Sequence, residues 1–357
     1  VRSLLHSIFR VFEATRPAQR GRPPMLSKPA VLLRITVRRR VPGVGAVQCH
    51  SLRAQFRAHH RPPQGLSRDP RLSETGGVIQ DDFAVIRENY QVPKNPIVLA
   101  HGLLGFDEIH PAGSILPGIQ YWSGIVDALA KKNVEVITVA VPPSECIEVR
   151  AQRLAEAIER SAGGRAVNII AGLDSRYMLT RLHPPRFLVK SLTTIATPHH
   201  GSAFADYIFE RIGPANIPRL YKALDFFGLE TGAFQQLSIK YMAQNFNPQT
   251  PDVQGVKYYS YGASLRPQWT SVFRHSHNII DRVQGENDGL VSVESSKWGV
   301  YKGTLQDVSH LDLINWTNRI RWYFLSLTGK RRNFNAIAFY LGISGDTTPY
   351  LRDGNFC

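Results

Sequence analysis

The stretch VNIIAGLDSRY (167–177) sets how the rest of the chain is read. Its first half is a short apolar run, the pattern of a strand buried on both faces of a parallel sheet. Its second half, from Gly172, opens a segment with helical spacing over 174–182. The same alternation extends outward in both directions. NPIVLAHG (95–102) is an apolar run ending in glycine. WSGIVDALAKKN (122–133) puts Ile125, Val126 and Leu129 on one helical face, and VEVITVAV (134–141) is the next strand. IEVRAQRLAEAIERSAGG (147–164) is a long helix closed by glycines. LVKSLTTIATP (188–198) and VKYYSYGAS (256–264) are further strands. Strands separated by helices of this length predict an α/β fold, a mostly parallel sheet with helices on both faces.

Three segments stand apart from that rhythm. Residues 1–75 form a leader rich in Arg, poor in acids and broken by Pro and Gly. Its first 70 residues hold thirteen arginines and Lys28 against Glu13 and Asp69, so most of the formal +15 charge sits there. A basic surface spread over a fold would point to nucleic acid; charge confined to a leader does not, and no nucleic-acid partner is expected. The leader has the composition of an import peptide, which gives an intracellular, mitochondrial location as the expectation. A disordered basic tail, or translated sequence ahead of a start at Met25, is the alternative. Residues 76–330 are the α/β domain, and 203–250 within it is a mostly helical insertion suited to a lid, or to an ordinary packed layer. Residues 331–357 read as a C-terminal tail without period after about 340. No run reaches the ~18 apolar residues of a membrane span. Cys49, Cys146 and Cys357 are odd in number and widely spaced, so neither a disulfide framework nor a zinc site is expected.

Three loops carry residues suited to chemistry. LAHGLLGF (99–106) places His-Gly at the end of a core strand, where glycine lets backbone approach a substrate. GENDGLVS (285–292) places Asp288 in a Gly-flanked turn. DVSHLDL (307–313) places His310 just before an amphipathic segment. An acid followed by a histidine, both late in an alternating fold, is the order in which a carboxylate fixes an imidazole tautomer and the imidazole moves a proton. Taken singly, Asp288 reads equally as a turn former and His310 as a residue near a helix start.

Together, the motifs of residues 95–320 resemble those of the bacterial-type triacylglycerol lipases and their fungal relatives. The matching pieces are PIVLAHGLLGFDE, YWSGIVDAL, VNIIA with GLDSRYM, TIATPHHGSAFAD, ENDGLVSVESSKWG and SHLDLINW, in the family's order. The resemblance implies an α/β-hydrolase fold with a lid-like insertion, a Ser-Asp-His triad and hydrolysis of long-chain carboxylic esters. By motif match Asp288 is the triad acid, His310 the base and Leu103 one oxyanion donor. It implies a lipid or other ester substrate and peripheral contact with a lipid surface, with no cofactor.

Two departures qualify the match. The family's elbow runs from the strand through His-Ser-x-Gly-Gly, whereas Ala171 here is followed directly by Gly172, so four residues including the nucleophilic serine are absent. Ser175 falls inside the first helical turn, and nothing in the sequence sets Ser202 or Ser309 against His310. In the bacterial members a structural calcium is bound; Asp312 matches one ligand, but Trp316 stands where a glutamine ligand would be, and no metal is expected. Two readings follow: a lipase-type serine hydrolase inactive as written, or a catalytically dead hydrolase fold that binds lipid or protein.

Overall fold

The computed structural model describes residues 77–80, 82–102, 108–109, 119–122, 124–142, 145–210, 235–266, 271, 273–315 and 334–345. The strands are Val78–Ile79 (β1), Ile97–Ala100 (β2), Glu108–Ile109 (β3), Ile119–Gln120 (β4), Val136–Val139 (β5), Ala166–Ile170 (β6), Leu188–Ile195 (β7), Lys257–Ser264 (β8) and Val300–Gln306 (β9). Seven of them form one sheet in the order β1-β9-β8-β7-β6-β2-β5, and every neighbouring pair is parallel. β3 and β4 make a separate antiparallel ribbon. From β2 the chain crosses outward to β5, then returns to β6 on β2's other side. That reversal puts a crevice at the carboxyl ends of β2 and β6, the place where open α/β sheets bind ligands.

The central strands are apolar because both of their faces are covered. Ile97 and Leu99 pack to one side with Ile125, Leu129 and Phe339, whereas Val98 and Ala100 pack to the other with Leu154, Ile158 and Met178. The first layer contains the helix Ile125–Lys131 (α1), and the second contains the helix Ile147–Ala162 (α2). In α2 the residues Ile147, Ala151, Leu154, Ile158 and Ala162 are buried at helical spacing, and Gly163 ends the helix at φ 58°. Leu173–Tyr177 (α3) continues into a wider π-helical turn at Met178–Leu182, so the helix expected over 174–182 is present with a changed winding. Arg274–Gln284 (α4) and Val293–Ser296 (α5) lie on either side of the turn that carries Asp288.

The reading of 331–357 as a C-terminal tail, without period after about 340, requires correction within 334–345. Ala336–Gly345 (α6) is a helix whose Phe339, Tyr340, Leu341 and Ile343 are buried in the first layer. It has no polar face and therefore shows no amphipathic period: a helix apolar all round is a core helix. Phe339 meets Phe83 edge-on at 5.0 Å, and the Asn335 N–H donates to the Phe83 carbonyl at 2.8 Å. A second correction concerns cysteine. Cys146, buried at the start of α2, is disulfide-bonded, which the spacing gives no reason to expect. Spacing cannot reveal a bridge that depends on two chain segments meeting in space. Residues 203–210 and much of 235–249 are helical, as expected for the insertion, while 211–234 lie outside the described residues, as do the leader through residue 76, Leu103 and Trp316. No helix among the described residues is long and apolar enough to cross a membrane.

Candidate active site

Asp288 and His310 meet at the carboxyl ends of β8 and β9. The Leu265 N–H, just beyond β8, donates to the Asn287 carbonyl at 2.9 Å and brings in the acid's turn. The Val308 N–H, just beyond β9, donates to the Ser264 carbonyl at 3.0 Å, and the His310 N–H donates to the Asp288 carbonyl at 3.1 Å. Backbone contacts therefore set the two loops in register before the side chains touch. His310 Nδ1 then lies 2.7 Å from Asp288 Oδ2.

The acid is completely buried and fully hydrogen-bonded. Its Oδ1 accepts from the N–H groups of Leu290 at 2.9 Å and Val291 at 2.8 Å, leaving Oδ2 for the imidazole. Asn287, also buried, fixes the turn from the other side: its amide donates to the carbonyls of His277 and Gly285, and its Oδ1 accepts from the Gly289 N–H. Gly289 holds φ 103°, and a Cβ there would lie 2.5 Å from Phe273 Cβ, so only glycine suits this turn.

With its Nδ1–H donated to the carboxylate, the neutral imidazole keeps its lone pair on Nε2. Burial pulls the His310 pKa down, but the charge of Asp288 and its hydrogen bond outweigh that and raise it above the ordinary histidine value. The side chain is 31% exposed, and among the described residues Nε2 has no hydrogen-bond partner. The loop is braced by Asp312, whose Oδ2 accepts from the Ser309 N–H at 3.0 Å and the Ser309 hydroxyl at 2.7 Å.

The β6–α3 connection consists of Ala171 and Gly172 alone. Two buried arginines hold α3 in place. Arg150 of α2 forms an ion pair with Asp174, Nη2 to Oδ2 at 2.7 Å, and donates to the carbonyls of Pro142 and His101. It thus ties the end of β2 to the first turn of α3. Arg176 lies with its guanidinium carbon 3.4 Å from the centre of the Trp298 ring and donates to Asn247 Oδ1 and the Thr250 carbonyl, each at 3.0 Å. His199 closes this second cluster, 3.2 Å from Arg176 and 2.9 Å from Thr194 Oγ1. Burial, then the charges of Arg176 and His200, hold His199 well below its ordinary pKa, so it stays neutral. The sequence singled out neither cluster; an Asp and an Arg 24 residues apart look like ordinary surface charges until the helices pack.

Of the serines near the site, one is buried without a hydrogen-bond partner and two donate to other groups. Ser175 has no exposed surface, and its Oγ lacks a partner inside the packed face of α3. The Ser202 hydroxyl donates to the Leu290 carbonyl at 3.0 Å, and that of Ser309 to Asp312. Among the described residues no hydroxyl is hydrogen-bonded to His310. The structure therefore brings together two of the sequence-predicted site residues, Asp288 and His310; Leu103, the third, is outside the described residues.

A parallel seven-stranded sheet with a carboxylate–imidazole pair beyond its last two strands defines an α/β-hydrolase. Triacylglycerol lipase 2 of Saccharomyces cerevisiae is 35% identical over 315 residues, covering 74% of this chain and 94% of the yeast protein. A triacylglycerol lipase of Vibrio cholerae is 28% identical over 271 residues, 65% of this chain and 83% of its own. The mature Bacillus licheniformis lipase BlEst2 shares the fold with a TM-score of 0.50 at 20% identity, covering 68% of this chain and 96% of that one. No protein-family model matches the chain. The chain belongs to the triacylglycerol lipase family.

Proposed function

We propose that this chain is a lipase-family carboxylic ester hydrolase that retains the acid and base of its triad, Asp288 and His310, and lacks the nucleophile, so that it does not turn over glycerides as written. The observation that carries this reading is the two-residue connection from β6 to α3. An elbow works by lifting a serine hydroxyl above the sheet on a strained, Gly-flanked turn, and Ala171–Gly172 has no hydroxyl to lift. Ser175 is fully buried, and Ser202 and Ser309 donate to other groups. Leu103 is proposed as an oxyanion donor by motif match, with the second donor lost along with the elbow. Loss of the nucleophile leaves only what binding and the oxyanion site contribute.

A triacylglycerol is the substrate class this family membership suggests, with contact to a lipid surface through the 203–250 insertion, and a mitochondrial address is proposed from the Arg-rich leader. A serine-directed fluorophosphonate tests the central point. No labelled peptide is expected, and a label on any serine would refute the proposal. Reading the transcript across codons 165–177 then separates a real absence from a mis-set exon boundary.

The second reading, a binding module for lipid or a partner protein, has the same observation behind it. Retention of bound lipid without turnover would support it.

A further inference from the structure

We infer that His310 is itself a nucleophile, and that the Asp288–His310 pair hydrolyses activated acyl compounds, aryl esters in particular, without a serine. The inference rests on the reading that the elbow nucleophile is absent. Three features of the pair carry it. The carboxylate of Asp288 is buried, holds its Oδ1 with two backbone N–H groups and presents Oδ2 to Nδ1 at 2.7 Å. That bond fixes one tautomer, with the lone pair on Nε2. The imidazole is 31% exposed, and among the described residues no group engages Nε2, so no hydrogen bond there takes up its lone pair.

The step is ordinary acyl transfer. The Nε2 lone pair attacks the acyl carbon, the bond to the aryl oxygen breaks, and the aryloxide leaves with the electron pair and takes a proton from solvent. The N-acylimidazolium keeps its Nδ1–H against the Asp288 carboxylate, which balances the new positive charge. Water then adds to the acyl carbon, the C–Nε2 bond breaks with its electrons returning to the ring, and the water's proton passes to solvent. One ester and one water give one acid and one phenol. Leaving-group chemistry sets the substrate range. Imidazole is a better leaving group than an alkoxide, so the adduct with a glyceride collapses back, whereas an aryloxide departs first. The pair therefore discriminates against the esters that the family's full triad cleaves.

The test uses the full chain with 4-nitrophenyl butyrate and, in parallel, tributyrin and a fluorophosphonate. Nitrophenolate release is expected to fall at least tenfold in His310→Ala and in Asp288→Asn, with no glycerol ester hydrolysis and no serine label. Acid quenching during turnover, followed by peptide mass spectrometry, is expected to show the butyryl mass on His310 in the unaltered chain, a readout that holds even if a variant folds poorly. Equal release by the unaltered chain and His310→Ala overturns the inference, as does His310-dependent release with no acyl-histidine. A labelled serine together with tributyrin hydrolysis overturns instead the reading that the nucleophile is missing.

Discussion

Removing the carboxylate of Asp174 should be among the most damaging single changes near the site. Arg150 has 2% of its side chain exposed, and its guanidinium meets Asp174 Oδ2 through Nε at 2.9 Å and Nη2 at 2.7 Å. Two carbonyls, of Pro142 and His101, take its remaining bonds. In Asp174→Ala the cation stays buried against those carbonyls without a counter-charge. Breaking a buried pair from one side costs about 3–5 kcal/mol, and the two surviving bonds place this case near 3. Arg150→Met strands the carboxylate instead and should cost a similar amount. The double variant removes both charges and should cost less than the two single losses combined, by about 2 kcal/mol or more. Urea unfolding followed by tryptophan fluorescence measures all four proteins, with the midpoint moving and the slope unchanged. Single losses below about 1 kcal/mol, or strict additivity, would refute the claim that this pair clamps the end of β2 to α3.

Three further outcomes are expected. Phe339→Ala should lower stability by about 3–5 kcal/mol, because the ring is fully buried between layers; thermal unfolding that is unmoved would return 336–345 to the status of a tail. Asp288→Asn should lower the titration midpoint of His310 in NMR spectra, since the carboxylate is what raises it. A histidine whose pKa is raised on folding contributes stability below the unfolded value of 6.5 and loses it as pH rises through the folded one, so this variant should lose more stability at acid than at alkaline pH. Asp206, raised to about 6 by burial with the Ile239 N–H opposing and Glu210 adding, has the opposite linkage from an ordinary acid. Its folded form holds the proton between about pH 4 and 6, so it costs stability as pH rises through that window, by roughly 3 kcal/mol; Asp206→Asn should flatten that part of the urea-midpoint profile.

The sheet was legible because its strands are short, apolar and spaced by helices with one apolar face, as Ile97–Ala100 and Ala166–Ile170 illustrate. β9 was not read as a strand, since Lys302 and Gln306 interrupt its pattern, and its membership depends on pairing with β8. α6 escaped for the reverse reason: with apolar residues on every side it has no period to detect. The dyad was legible through turn chemistry, Asn-Asp-Gly at 287–289 and Ser-His before an apolar run at 309–314, together with the family's motif order. What positions the dyad was not. The Asn287 amide and the Asp312 brace are set by loop geometry, and the Arg150–Asp174 and Arg176–Trp298 contacts join residues far apart in the chain. The two-residue β6–α3 junction was legible by setting the residues beside the family's motif, because the length of a junction is a matter of spacing rather than packing.

On the proposed reading, the hydrolase frame stands intact around a missing nucleophile. Inserting His-Ser-Gln-Gly between Ala171 and Gly172 and assaying tributyrin hydrolysis tests it most directly. No hydrolysis is expected of the chain as it stands, and glyceride turnover is expected in the insertion variant, lost again on His310→Ala. Tributyrin hydrolysis by the chain without the insertion would contradict it.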